Sequence, residues 1–88
     1  MSAPATLPLR VMVEEAWDEV NLDVPHETRL GELKRMALEA TRVPRDPSAY
    51  VLKFRGAELD DESRTLADAG LVPNGALIVL RRRRQPVR

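Results

Sequence analysis

Apolar and polar residues alternate along two segments near the start of the chain. The apolar positions of the first segment are Leu7, Leu9, Val11 and Val13, and those of the second are Val20, Leu22 and Val24. A repeat of two residues places alternate side chains on opposite faces of an extended chain, so both segments are predicted to be strands with one buried face. Residues 14–18 are predicted to form the turn between them.

After Pro25 the apolar residues repeat at intervals of three and four, which is the spacing of one face of an α-helix. The predicted buried face consists of Leu30, Leu33, Ala37 and Ala40, with Met36 and Leu38 beside it. Thr28 is the predicted N-cap, because its hydroxyl can accept a hydrogen bond from an amide of the first turn. Pro44 and Pro47 are predicted to end the helix.

The remainder of the chain has short apolar segments separated by turn residues. Residues 50–54 predict a third strand that stops at Gly56, and Leu59 is a single apolar anchor in a polar segment. Residues 65–68 resemble a capping box, so one helical turn is predicted there, closed by Gly70 in a left-handed conformation. The last strand, residues 76–80, is predicted to lie beside the first strand in a mixed sheet covered by the helix.

Length and composition are those of one small globular domain. The chain has 88 residues, of which 43 % are apolar and 32 % are charged, and this balance argues against disorder. The predicted domain spans residues 7–82, with a flexible lead-in at residues 1–6 and a flexible basic tail at residues 83–88. Because Trp17, Tyr50 and Phe54 are the only aromatic residues, the core is predicted to be aliphatic.

Composition also argues against several kinds of chemistry. The chain has no cysteine and one histidine, His26, so it has no thiolate ligand or cysteine nucleophile, and one imidazole cannot form a zinc site alone. The sequence has no Gly-rich phosphate-binding loop. We therefore expect no enzymatic activity, no cofactor and no small-molecule substrate. No apolar stretch approaches the ~20 residues that span a bilayer, and no secretion signal is visible, so we expect a cytoplasmic protein without membrane insertion.

Several motifs resemble those of ubiquitin and its relatives, across residues 7–84. Residues 64–71 read Arg-Thr-Leu-Ala-Asp-Ala-Gly-Leu, which resembles the family signature Arg-Thr-Leu-X-Asp-X-X-Ile. Residues 76–81 read Ala-Leu-Ile-Val-Leu-Arg, similar to the family ending Leu-X-Leu-X-Leu-Arg, and Phe54-Arg55-Gly56 followed by Leu59 is similar to the family's aromatic-X-Gly turn. The resemblance implies an α+β fold of the β-grasp type, a mixed sheet of four to five strands packed against one α-helix, with a short helical turn before the last strand.

The end of the sequence departs from part of that family. Members that become conjugated to other proteins, and the related sulfur carriers, end in Gly-Gly, whereas residues 84–88 here read Arg-Gln-Pro-Val-Arg. A modifier or sulfur-carrier role would therefore require C-terminal processing and is kept as an alternative. Two settings stay open: one resembles the small bacterial ubiquitin-like proteins without Gly-Gly that are associated with type VII secretion, and the other is a ubiquitin-like domain of, or beside, a larger protein.

The resemblance implies a candidate binding surface on the sheet face opposite the helix. The family commonly binds partners through an apolar patch on that face, and its key third-strand position matches Lys53. By strand parity Val51, Ile78 and Leu80 point to the same face, with Arg81 and Arg82 at its edge. We therefore expect a monomeric, non-catalytic protein–protein interaction module that uses these six residues. The competing interpretation is that a tail or a neighbouring subunit covers them.

A second alternative is weak nucleic-acid binding through the arginines at residues 81–84. Such a run can neutralise phosphates without reading sequence. However, the formal net charge of the chain is zero, and no aromatic residue lies among the arginines to stack on bases. We therefore do not expect nucleic acid to be the main partner.

Overall fold

The computed structural model describes residues 6–44 and 46–82. Within these ranges the secondary-structure elements are β1 (Thr6–Val13), a 3₁₀ helix (Glu14–Ala16), β2 (Asp18–Pro25), α1 (Leu30–Ala40), a second 3₁₀ helix (Pro47–Ala49), β3 (Tyr50–Phe54), β4 (Ala57–Glu58) and β5 (Gly75–Arg81). Nearly all of the predicted lead-in and the whole predicted tail lie outside the described residues. In the described part of the chain, no helix has the length and apolar character needed to cross a membrane.

The strands form one mixed sheet in the order β2-β1-β5-β3-β4. β1 pairs with β2 antiparallel and with β5 parallel, and β3 pairs antiparallel with both β5 and β4. The last strand therefore lies beside the first, as the sequence predicted. Arg55 and Gly56 connect β3 to β4 with positive φ angles of 55° and 81°, as in the two-residue hairpin turns whose twist matches that of the flanking strands.

The core lies between one face of this sheet and α1. The apolar positions predicted from alternation are buried in β1, at Leu7, Leu9, Val11 and Val13, and in β5, at Leu77 and Val79. In β2 only Val24 is buried, and the predicted Val20 and Leu22 are half-buried. On the helix, Leu30, Leu33 and Ala37 are buried as predicted, but Ala40 is exposed. Ala40 is the last helical residue, and the buried face turns instead toward Lys34 and Leu38, which are both less than 3 % exposed.

The start of α1 is capped by a distant loop and not by the predicted Thr28. Arg29 occupies the N-cap position with an extended backbone and no side-chain cap. The amides of Leu30 and Gly31 donate to the carbonyls of Arg64 at 2.9 Å and Glu62 at 3.0 Å. Because these carbonyls satisfy the amides that the first turn leaves open, no hydroxyl or carboxylate is needed at the N-cap.

The end of α1 is also set by backbone geometry. Arg42 has a left-handed φ of 61°, its amide donates to the Glu39 carbonyl at 3.1 Å, and the Val43 amide donates to the Leu38 carbonyl at 3.0 Å. These two bonds form the Schellman motif, which normally has glycine at the position of Arg42. The helix thus ends at Ala40, before Pro44 and Pro47 are reached.

Lys34 is a buried charge that the sequence pattern did not predict. Its side chain is 1 % exposed, and its Nζ lies 2.6 Å from Glu62 Oε2, whose side chain is 29 % exposed. The same Nζ donates to the Tyr50 carbonyl at 2.8 Å. Lys34 therefore joins α1 to the start of β3 and to the loop that caps the helix.

The segment before β5 forms the predicted hydrogen-bonded turn. The Asp68 amide donates to Thr65 Oγ1 at 3.1 Å, and Gly70 has a φ of +79°. Leu66 and Leu71 on either side are 0 % and 7 % exposed and belong to the core cluster. The turn therefore places a leucine on either side of it in the core.

Candidate functional site

The candidate surface is the outer face, defined as the side of the sheet opposite α1. Residues directly opposite each other on paired strands point to the same face. The register pairs Val51 with Leu80 and Lys53 with Ile78 across β3 and β5, and it pairs Met12 with Ile78 across β1 and β5. Four of the six residues proposed from the sequence therefore lie together on the outer face, with Met12 beside them.

Four apolar residues form the centre of this face, and we call Met12, Val51, Ile78 and Leu80 the apolar centre. Ile78 is 43 % exposed and lies on β5, the middle strand of the sheet. Met12 and Leu80 are half-buried. Val51 is only 7 % exposed although it lies outside the main core cluster. A β-branched aliphatic side chain is thus open to solvent at the middle of the outer face.

Charged residues flank the apolar centre along one line across the sheet. The register aligns one residue from each strand, and this central row is Glu19, Met12, Ile78, Lys53 and Glu58, in the order β2-β1-β5-β3-β4. Glu19 and Glu58 at the two ends are exposed, and Lys53 is half-buried. The order along the row is therefore acid, apolar, apolar, base and acid.

A shallow depression of about 870 Å³ lies at one end of the outer face. The residues that line it are Glu14, Val51, Lys53, Glu58, Leu80, Arg81 and Arg82. Its apolar members can contact an apolar side chain, and its acids and bases can pair with charges of either sign. The depression is thus suited to a mixed apolar and charged protein surface.

The two arginines are placed differently from the other proposed residues. Arg81 pairs in register with the buried Tyr50, so it belongs to the helix side of the sheet, and its Nε lies 3.9 Å from Glu15 Oε1. Arg82 donates from its amide to the Ala49 carbonyl at 2.7 Å and from Nε to the Ser48 carbonyl at 3.2 Å. They border the depression, but both also contact groups of the domain itself.

Sequence reasoning missed four residues of this surface: Met12, Glu14, Glu19 and Glu58. The alternation of β1 placed Met12 outward, but the identity of its cross-strand neighbours depends on register, which alternation does not supply. β4 has only two residues, too few for a periodic signal. The sequence pattern also did not predict the exposure of Trp17. Its side chain is 81 % exposed at the β1–β2 turn, and its φ is 52°.

The combination of a mixed sheet with a single crossing helix defines the β-grasp class of folds. No family model matches the chain, and no curated protein sequence matches it. Solved structures do match. The ubiquitin-like domain of an Arabidopsis thaliana protein is 17 % identical with a TM-score of 0.76, and the match covers 100 % of this chain and 89 % of that one.

Two further structures give the same result. The ubiquitin of Caldiarchaeum subterraneum is 14 % identical with a TM-score of 0.76, over 93 % of this chain and 100 % of that one. The C-terminal ubiquitin-like domain of mouse tubulin-specific chaperone e is 16 % identical with a TM-score of 0.75, over 99 % and 97 %. The chain therefore has the ubiquitin-like β-grasp fold.

Proposed function

We propose that this domain is a non-catalytic interaction module that binds another protein through the outer face of its sheet. The observation that carries the proposal is Ile78, an aliphatic side chain 43 % exposed on the middle strand of the sheet. Met12 and Leu80 lie next to it on the same face, and charged residues surround the group. Ubiquitin-like domains commonly mediate protein interactions, which agrees with this use of the fold.

The composition of the face indicates how a partner would be bound. Removal of Ile78 and Met12 from water supplies affinity, at about 25 cal/mol for each Å² of apolar surface buried. A few such central residues carry most of the binding energy in protein interfaces. Charges at the rim, here Glu19, Lys53 and Glu58, mainly affect the association rate and the choice of partner. The partner is therefore expected to present an apolar centre with charges of both signs around it.

The other roles expected from the sequence receive less support. For nucleic-acid binding, Arg81 and Arg82 are already in contact with Glu15 and with a backbone carbonyl, which reduces their availability to phosphates. The modifier or sulfur-carrier role stays an alternative prediction from the sequence. The bacterial type VII secretion setting and the cytoplasmic location stay predictions from the sequence.

Ile78→Ser tests the proposal, with Val72→Ser as a matched control. Val72 is 41 % exposed and precedes β5, so both changes remove a similarly exposed aliphatic group. Tagged wild-type and variant chains are purified from their native cells, and the retained proteins are quantified by mass spectrometry. Loss of a central interface residue typically weakens binding by about tenfold or more, so Ile78→Ser is expected to lose proteins that the wild type and Val72→Ser retain.

The contrary result is that all three chains retain the same proteins in equal amounts, which would show that the outer face is not the binding surface. Melting curves of the purified variants separate a binding effect from unfolding. A double change, Ile78→Ser with Leu80→Ser, removes more of the apolar centre and is expected to abolish capture completely.

A further inference from the structure

We infer that the outer face also binds a second copy of this chain, in a weak two-fold dimer that covers Met12 and Ile78. The inference rests on the proposed function because it uses the same surface, and it replaces the sequence expectation of a monomer. The supporting observation is the order of charges along the central row, Glu19, Met12, Ile78, Lys53 and Glu58. This order is complementary to itself under one particular rotation.

The geometry follows from the spacing of the strands. Neighbouring strands lie about 4.8 Å apart, so a two-fold axis that runs along the strands between Met12 and Ile78 has Glu19 and Lys53 about 7 Å to either side. Rotation about this axis places Met12 against the second copy's Ile78. It also places Glu19 against the second copy's Lys53, and both contacts occur twice because the interface is symmetric.

Other placements of the axis along the strands do not give this match. An axis through Ile78 would put Glu19 against the second copy's Glu58, which are two acids. An axis between Ile78 and Lys53 would put Met12 against Glu58 and Ile78 against Lys53. An axis that runs across the strands would place each charge against itself. Within the central row, only the axis between β1 and β5 pairs apolar residues with apolar residues and an acid with a base.

The charges involved are available for such contacts. Within residues 6–44 and 46–82, neither Glu19 nor Lys53 takes part in an ion pair. Glu19 is exposed, and Lys53 is half-buried beside the exposed Ile78. An intermolecular pair would therefore not have to break an existing intramolecular one. Both side chains are long enough to follow the ~30° twist expected between packed sheets.

The dimer is expected to be weak because the face is small. In the overlap, four strands at about 4.8 Å spacing and about 20 Å length give on the order of 400 Å² of flat area, roughly half of the ~800 Å² per partner that stable complexes bury. We therefore expect a dissociation constant on the order of 0.1–1 mM. Such a dimer would yield readily to a better-matched partner protein.

Charge reversal tests the inference with the purified full-length chain alone. Sedimentation of the wild type up to about 1 mM is expected to show reversible dimers. Glu19→Lys and Lys53→Glu each place two like-charge contacts in the interface, so each variant alone is expected to dimerise at least about tenfold more weakly. Mixing the two variants restores one pair in its native sense and the other with reversed sign, so the mixture is expected to regain dimers that contain one of each.

Glu39→Lys is the control, because it reverses an exposed acid of α1, which lies on the other side of the sheet from the proposed interface. It is expected to leave self-association nearly unchanged. The inference is overturned if the wild type stays monomeric at about 1 mM, or if the mixed variants associate no better than either alone. If the wild type is monomeric but Ile78→Ser loses its captured proteins, the dimer would be wrong and the proposed binding of a different protein would stand. If the wild type forms the dimer but Ile78→Ser still captures the same proteins, the dimer would stand and the proposed partner-binding function would fail.

Discussion

At the scale of single residues, Lys34 shows how a charge becomes part of a core. Its amine lies between the Glu62 carboxylate at 2.6 Å and the Tyr50 carbonyl at 2.8 Å, and the residue belongs to the buried face of α1. A buried ammonium is costly unless it is paired and hydrogen-bonded. Here both conditions hold, and one side chain connects three separate parts of the chain.

Replacement of Lys34 by Met tests this role. The variant keeps the apolar stem but leaves the Tyr50 carbonyl without its charged donor, so the free energy of unfolding is expected to fall by about 1–3 kcal/mol. Chemical denaturation measures the change. Arg35→Ala removes exposed ion pairs with Glu32 and Glu39 and is expected to change stability far less. Equal losses in the two variants would show that Lys34 contributes no more than a surface charge.

At the scale of elements, α1 is bounded by contacts that lie far away in sequence or depend on backbone conformation. Its first amides are satisfied by the carbonyls of Glu62 and Arg64. The loop that supplies them is itself ordered, since the Ser63 hydroxyl and amide donate to the Asp61 carboxylate and lower the pKa of that carboxyl. The helix therefore depends on tertiary contacts at its start and on Arg42 at its end.

Arg42→Gly is expected to stabilise the domain. A left-handed conformation costs a residue with a side chain roughly 1–2 kcal/mol, and glycine adopts it freely. Greater freedom of glycine in the unfolded chain offsets part of this gain, which leaves a net increase of up to about 1 kcal/mol in the free energy of unfolding. Thermal melting measures it. Glu39→Gly, inside the helix, should be destabilising; a loss of stability in both variants would contradict the role assigned to Arg42.

At the scale of the whole molecule, the sequence predicted the parts of the fold that depend on periodicity. The alternation of β1 and β5 predicted their buried faces, and β3 was predicted with its observed bounds. The motif at residues 64–71 led to the ubiquitin-like β-grasp fold that the solved structures confirm. These features were predictable because each depends on residues that are close together in the sequence.

The features that escaped prediction depend on contacts between distant segments. Thr28 was wrong as the N-cap because a loop more than thirty residues later supplies the capping carbonyls. The burial of Lys34 depends on Glu62 and Tyr50 being nearby. The central row of the outer face depends on register across all five strands, so the sequence predicted Ile78 and Lys53 as members without their neighbours Glu19 and Glu58.

The central claim is that a partner protein binds over Ile78, and the chain contains its own probe for this. Ile78 is the only isoleucine among the 88 residues, so a chain labelled at the isoleucine δ1 methyl group and at the valine methyl groups gives one isoleucine signal by NMR. When a protein captured by the wild type is added, this signal is expected to shift or broaden, while the methyl signals of Val72 stay in place. An Ile78 signal that stays unchanged while the partner binds would contradict the account.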